Sequence, residues 1–95
     1  MDFLHSREYL SAGDVVIVNC SHQCNIFLVD DGNLQDYKTG RSFRYYGGFQ
    51  KMFPARLVAP STGYWNVVLD LGGGSATITH SIRVIRSFRD TRALV

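Results

Sequence analysis

Three side chains near position 22 have the types and spacing for metal or thiol chemistry. Cys20, His22 and Cys24 form the sequence Cys-x-His-x-Cys, and zinc binds thiolate and imidazole ligands. The set supplies only three ligands, and His80 is the obvious source of a fourth. Because structural zinc sites normally use paired two-ligand clusters, we favour cysteines that pack as small apolar residues beside a solvated His22. We predict no cofactor and keep this metal or thiol site as the alternative.

The same residues meet the first requirement of a cysteine hydrolase, which is a thiol beside an imidazole. No third group that would orient the imidazole is evident, and such enzymes usually need a longer chain to build a cleft. We therefore expect no catalytic residue. A disulfide between Cys20 and Cys24 is geometrically feasible, but a reducing cytoplasm disfavours it.

Aromatic and cationic residues alternate between positions 37 and 51. Aromatic faces stack on bases, sugars or partner side chains, and arginine adds cation–π contacts. Strand alternation offers another interpretation, in which Phe43 and Tyr45 fill the core. Arg44 and Tyr46 then face water. We predict that this stretch binds a small ligand or a protein partner. The expected contact residues are Arg44, Tyr45, Tyr46 and Phe49.

The elements that must position these residues are mostly short strands. β-branched runs predict strands over residues 15–20 and 24–29. The three polar residues between these runs predict a β-hairpin. Residues 6–10 favour one helical turn, and a second turn is expected to begin at Asn33 and end at Gly40.

Two further strands are expected in the middle of the chain. Residues 41–46 predict one strand, closed by Gly47 and Gly48. Residues 51–59 predict another, which Pro54 restricts to a sheet edge or a bulge because proline donates no ladder hydrogen bond. A homodimer through that edge strand stays open as an interpretation.

The most regular pattern lies in the last third of the chain. Apolar and polar residues alternate over residues 65–71 and 76–84, which predicts an antiparallel sheet with one face in water. His80 falls on the apolar face, where a neutral, hydrogen-bonded histidine is the usual case. Residues 72–75 (Gly-Gly-Gly-Ser) predict a hairpin turn. Six short strands indicate an all-β domain, mainly β with one or two short helical turns, folded as a small antiparallel β-sandwich or partly open barrel.

The composition indicates one domain. The chain has 95 residues, of which 45% are hydrophobic and 13% aromatic, enough for a single core. We assign residues 1–86 to a single β-rich domain and residues 87–95 to a C-terminal tail. The first residues lack the pattern of a secretory signal, and no run approaches the roughly 20 apolar residues of a membrane-spanning helix. We expect a cytoplasmic protein with no membrane partner.

The charge distribution bears on nucleic-acid binding. The net charge of +2 is small for a dedicated nucleic-acid binder and counts against such a partner. Nearly all of the positive charge is arginine, so weak nucleic-acid binding stays as a third interpretation. It predicts an affinity that falls steeply with salt concentration.

Several strings of residues resemble a known family. The strings are Phe3-Leu-His-Ser, Tyr9-Leu-x-Ala-Gly-Asp-Val-Val, His22-Gln-Cys-Asn, Tyr45-Tyr-Gly-Gly, Phe53-Pro-Ala-Arg and Gly63-Tyr-Trp-Asn-Val-Val-Leu-Asp-Leu-Gly-Gly. Over residues 1–86 the chain resembles a bacterial family called domain of unknown function 1883. The resemblance implies no established activity and no functional residues. Members of that family occur alone or joined to signalling domains of the Toll/interleukin-receptor type, which implies a sensor or adaptor module rather than a catalyst.

Overall fold

The strands of the protein, described here from a computed structural model, form two antiparallel sheets. The structure describes residues 3–71 and 78–87. Strands β1, β6, β3 and β4 form a four-stranded sheet in that order, and β5, β2 and β7 form a three-stranded sheet. The sheets face each other as a small β-sandwich, which confirms the predicted fold class. The elements are β1 (Phe3–Leu10), β2 (Val15–Cys20), β3 (Cys24–Val29), α1 (Asp31–Lys38), β4 (Tyr46–Gln50), β5 (Ala55–Val58), β6 (Gly63–Asp70) and β7 (His80–Ile85).

The main core lies between the two sheets and consists of alternate residues of facing strands. Val16 and Val18 of β2 are fully buried against Ile26 and Leu28 of β3 and against neighbouring side chains of β6. Burial of each such aliphatic side chain stabilises the fold by about 1.5–3 kcal/mol relative to exposure. The core therefore holds the two sheets together.

Helix α1 covers the outer face of the four-stranded sheet. Leu34 and Tyr37 of the helix pack with Phe27 and Val68 in a second buried cluster. Asn66, on the face of β6 that the alternating pattern assigns to water, is completely buried. That prediction is wrong because alternation along β6 predicts only the face to which a side chain points. It cannot predict that a helix packs on that face. The middle of the four-stranded sheet is thus covered on both faces.

The helix begins earlier than the sequence pattern predicts. Asp30 is its N-cap, and the Asp30 carboxylate accepts a hydrogen bond of 2.7 Å from the backbone amide of Asn33. Asn33 is therefore inside the helix rather than at its start. Gly40 follows the helix with a φ of 77°, a left-handed conformation that favours glycine. No helix in the described part of the chain is long and apolar enough to cross a membrane.

Strand β1 replaces the helical turn predicted over residues 6–10. Its eight residues pair antiparallel with β6 along their whole length, from Phe3 opposite Asp70 to Leu10 opposite Gly63. Ser6 can cap a helix locally, but pairing with a long neighbouring strand satisfies more backbone groups. Tertiary pairing overrides the local preference here.

Neither predicted hairpin forms, because each pair of strands belongs to different sheets. β2 pairs with β5 and β7, whereas β3 pairs with β4 and β6. β6 pairs with β1 and β3, whereas β7 pairs with β2. The turn predicted at residues 72–75 lies outside the described residues. A short polar link between two apolar runs is compatible with a hairpin and with a crossing between sheets.

The middle strands also differ from their predicted bounds. Residues 41–45 are not a strand, and β4 runs through Gly47 and Gly48 instead of ending before them. Gly47 has a φ of 116°, and a Cβ at this position would lie 2.2 Å from the carbonyl oxygen of Ile26. β5 is shorter than predicted and begins directly after Pro54, and it is an edge strand, as predicted.

Candidate binding surface

The four predicted contact residues lie together at the β4 edge of the four-stranded sheet. Arg44 and Tyr45 directly precede β4, and Tyr46 and Phe49 belong to it. Arg44 is exposed, and the exposed fractions of Tyr45, Tyr46 and Phe49 are 48%, 50% and 55%. We call Arg44, Tyr45, Tyr46 and Phe49 the β4 surface.

β4 has a strand partner on one side only. It pairs with β3, and its other edge is not paired with any strand in the described ranges. Tyr46 lies opposite Leu28 and Phe49 lies opposite Asn25, so the two aromatic side chains point to opposite faces of the sheet. The free edge of β4 is therefore flanked by an aromatic side chain on each face.

Ring contacts attach the exposed aromatics to buried ones. The ring centroid of Tyr45 lies 4.7 Å from that of Phe27, on the helix-covered face. The ring centroid of Tyr46 lies 5.9 Å from that of Trp65, which belongs to the core between the sheets. Both contacts have edge-to-face geometry, the preferred arrangement of aromatic pairs. Tyr45 and Tyr46 thus have defined orientations although about half of each residue is exposed.

A side-chain bridge holds the loop before β4 against helix α1. The backbone amide of Arg44 donates a 2.7 Å hydrogen bond to the side-chain oxygen of Asn33, whose amide group donates to Asp30 at 2.9 Å. The ring of Phe43 packs against Tyr37 with centroids 5.1 Å apart. The Arg44 backbone is fixed in this way, while its guanidinium forms no ion pair with any residue that the structure describes.

Two aromatic residues of the predicted stretch belong to the packing and not to the β4 surface. Tyr37 is only 7% exposed, and Phe43 is partly buried beside it. Burial, followed by the hydrogen bond that the Tyr37 hydroxyl donates to Asp70, raises the pKa of Tyr37 above its usual value. The sequence pattern could not separate these residues from the exposed ones, because Tyr37 lies in the helix and residues 41–45 are not a strand, so strand alternation applies to neither.

The structure does not bring Cys20, His22 and Cys24 together as a metal site. The two cysteine sulphurs are 3.9 Å apart, but His22 is exposed and shares a 2.8 Å hydrogen bond with the side chain of Ser21. Within residues 3–71 and 78–87, no group of three or more His, Cys, Asp or Glu could hold a metal ion. His80 is exposed rather than in the core, which corrects the predicted burial.

The sequence pattern also missed a polar network beneath the start of α1. Asn66 bonds to His5 at 2.6 Å and donates to Asp31 at 2.8 Å, and Asp31 forms an ion pair with Arg7 at 2.7 Å. The guanidinium of Arg7 also lies 3.9 Å from the ring centroid of Tyr64. The one feature of the sequence that could have indicated this network is Asn66, a polar residue among the apolar residues 65–69. Its hydrogen bonds are satisfied within the fold, so the network fastens β1, β6 and α1 together.

The fold and its exposed edge define a small antiparallel β-sandwich whose larger sheet is covered by one helix. The chain belongs to the family described as Domain of unknown function (DUF1883), whose model matches residues 1–88. This confirms the family resemblance carried by the strings of the sequence. Neither a curated protein nor a solved structure matches the chain.

Proposed function

We propose that this protein is a non-catalytic binding module of the sensor or adaptor type, and that it recognises a ligand or protein partner through the β4 surface. One observation carries the proposal: three half-exposed aromatic side chains surround a strand edge that no described strand pairs with, beside an arginine that forms no ion pair with a described residue. Tyrosine, arginine and phenylalanine are enriched at protein interfaces, and tyrosine and arginine are frequent among the residues that dominate binding energy.

The chemistry of the β4 surface favours an extended protein segment over a compact small molecule. A free strand edge offers backbone donors and acceptors to an added strand, and side chains on both faces of that edge can then contact alternate residues of the partner. Tyr46 would contact one face of such a segment, and Tyr45 and Phe49 the other. Arg44 would pair with a carboxylate of the partner through charge-assisted hydrogen bonds.

The rigid support of the β4 surface contributes to the affinity expected of it. Asn33 holds the backbone of Arg44, and the buried rings of Phe27 and Trp65 orient Tyr45 and Tyr46. A surface ordered before binding loses less conformational entropy when the partner arrives. We further infer a cytoplasmic location, where a reducing environment keeps Cys20 and Cys24 as thiols at rest.

The test is a comparison of binding between the wild-type protein and an Arg44→Ala/Phe49→Ala double variant. Neither side chain has a hydrogen bond or a ring contact with another described residue, so the variant should unfold at nearly the wild-type temperature. Immobilised proteins would be exposed to a lysate of the source cells, and bound proteins would be quantified by mass spectrometry. Candidates would then be measured as purified pairs by calorimetry.

The matched control is Tyr9→Ala, which removes an equally exposed tyrosine from the opposite edge strand, β1. A true partner binds the wild-type protein and the Tyr9→Ala variant and loses at least about tenfold in affinity with the double variant, as expected of central interface residues. If the double variant binds every purified partner as tightly as the wild-type protein, the β4 surface is not the recognition site. An Arg44→Ala/Tyr46→Ala variant extends the test to the residue that contacts Trp65.

A further inference from the structure

A pair of thiols lies where the chain crosses from one sheet to the other. Cys20 ends β2 of the three-stranded sheet, and Cys24 begins β3 of the four-stranded sheet. Their sulphur atoms are 3.9 Å apart, and both cysteines are free. Because a disulfide bond is about 2.05 Å long, closing the pair requires the two sulphurs to approach by roughly 2 Å. Rotation of the Cys20 and Cys24 side chains can supply much of this movement, because only three residues separate them in the chain.

The two thiols differ in their access to solvent. Cys24 is only 2% exposed and packs in the core between the sheets, whereas Cys20 is partly exposed. Burial, followed by the neighbouring Cys20 thiol, raises the pKa of the Cys24 thiol to about 12. The Cys24 thiol therefore stays protonated and shielded, and a reagent from solution meets Cys20 first.

A cavity beside Cys20 leaves room for such a reagent. It has a volume of about 270 Å³ and is lined by Asn19, Cys20, Ser21, Thr79, His80 and Ser81. His80 lies directly opposite Cys20 in the antiparallel pair of β2 and β7, so both side chains point to the same side of the sheet. The Cβ atoms of such pairs are about 4.5–5.5 Å apart, which brings the imidazole within reach of the Cys20 thiol as a proton acceptor.

We propose that Cys20 and Cys24 form a site of reversible thiol oxidation, in which a hydroperoxide oxidises Cys20 and Cys24 then closes an intramolecular disulfide. The site is separate from the β4 surface and does not depend on the function proposed for it. Cytosolic disulfides, where they occur, are usually transient and redox-sensing, which agrees with a pair of thiols held close but unbonded.

The chemistry balances in two steps. In the first, the Cys20 thiol gives its proton to His80, and the sulphur attacks the outer oxygen of the hydroperoxide. The O–O bond breaks. The leaving oxygen takes up the proton from His80 and departs as an alcohol or as water. Cys20 is now a sulfenic acid. In the second, the sulphur of Cys24 attacks the sulphur of Cys20, the S–O bond breaks, and water leaves with the proton of the Cys24 thiol. The hydroperoxide has accepted two electrons, and a dithiol reductant reverses the change.

The disulfide would connect the two layers of the sandwich covalently, since β2 and β3 belong to different sheets. It would also fix the start of β3, where Cys24 lies opposite Gln50 of β4. Oxidation should therefore raise the temperature of unfolding. Reduction should restore the original value.

The experiment is to treat the fully reduced protein with hydrogen peroxide and to follow its intact mass. We expect the loss of two hydrogens within single chains, and a peptide map without reductant should locate the bond between Cys20 and Cys24. In a Cys24→Ala variant, a 1,3-dione should trap a sulfenic acid on Cys20. In a Cys20→Ser variant, Cys24 should react at least about tenfold more slowly than Cys20 does in the wild-type protein.

His80→Gln tests the role of the imidazole. This variant should slow the oxidation of Cys20 several-fold while the same disulfide still forms. Two outcomes overturn the proposal: a wild-type protein whose two thiols survive peroxide that oxidises free cysteine, or a disulfide that joins separate chains. Equal reactivity of Cys24 in the Cys20→Ser variant would overturn the assignment of Cys20 as the first thiol to react.

Discussion

The hydroxyl of Tyr37 in α1 donates a hydrogen bond to the carboxylate of Asp70 at the end of β6. Asp70 lies opposite Phe3 of β1 and Asn25 of β3, so this one bond connects the helix to the middle of the four-stranded sheet. Tyr37 also contacts Phe43, which directly precedes the first residue of the β4 surface, Arg44. The bond therefore supports the framework on which the proposed binding residues are held.

Replacing Tyr37 by phenylalanine should lower the free energy of unfolding by about 1.5–3 kcal/mol, the usual contribution of a hydrogen bond to a charged group. The ring and its packing remain, so the fold should be unchanged. Urea denaturation followed by the fluorescence of Trp65 measures the effect. Tyr64→Phe is the control, because this exposed hydroxyl bonds to no other described residue, and it should change stability by less than about 0.5 kcal/mol.

The raised pKa of Tyr37 predicts a second difference between the wild-type protein and Tyr37→Phe, in their stability at alkaline pH. A group whose pKa is raised by folding contributes stability that is complete below its ordinary pKa, here 10.0, and declines as pH rises through the raised value. The wild-type protein should lose more stability above pH 10 than Tyr37→Phe does. Parallel curves for the two proteins would contradict the role given to the Tyr37 hydroxyl.

Gly47→Ala should destabilise the protein more than Gly48→Ala. Both residues have a φ in the range that favours glycine, so either change should introduce strain of about 1–3 kcal/mol. Only at position 47 would the new Cβ meet other atoms, at 2.2 Å from the Ile26 carbonyl oxygen and 2.8 Å from the Leu57 side chain. Thermal unfolding compares the two variants, and equal losses would mean that the contact with Ile26 relaxes without cost.

Asp14→Asn should lower the free energy of unfolding by about 1.5–3 kcal/mol, because a buried carboxylate loses its charge-assisted hydrogen bonds. Asp14 is 1% exposed and accepts bonds from the amides of Ser11 and Ser87 and from Arg86, at 2.8, 2.6 and 3.2 Å. Burial alone raises the pKa of Asp14, but these donors outweigh it and hold the pKa below its usual value. Denaturation at neutral pH measures the change, with the more exposed Asp36→Asn as the control.

Asp31 should contribute to the loss of stability in acid. The hydrogen bond from Arg7, with a further one from Asn66, lowers the pKa of Asp31 from 3.8 to about 2. A depressed pKa contributes stability that is complete above the ordinary value and is lost as pH falls through the folded value. The free energy of unfolding should therefore decrease between pH 3.8 and pH 2, and less steeply in Asp31→Asn. Identical slopes would show that the ion pair with Arg7 does not influence folding.

The sequence was a good guide to the individual strands and a poor guide to their partners. Alternation over residues 65–71 correctly predicts β6, because alternate positions of a strand point to opposite faces. The runs at residues 15–20 and 24–29 coincide with β2 and β3. Their assignment to one hairpin is wrong, because a three-residue polar link permits a crossing between sheets as readily as a turn within one.

For the β4 surface too, the sequence identified the individual residues but not their long-range contacts. The types of Arg44, Tyr45, Tyr46 and Phe49 singled them out, and the structure exposes all of them along one edge. The sequence could not reveal that Tyr37 is buried under the helix and bonded to Asp70, because the two residues are 33 positions apart. Nor could it pair His80 with Cys20, since that pairing depends on the register of β7 against β2.

The amino-acid sequence by itself determined the class of the domain, its family and most of its strands. These depend on composition, on recurring strings of residues and on a side-chain period of two, all of which are local properties. Tertiary structure alone decided which strands share a sheet, that α1 covers the outer face, and that Cys20 lies beside both Cys24 and His80. These relationships arise from long-range pairing and burial, where the gain from packing two distant segments exceeds the preference of either segment alone.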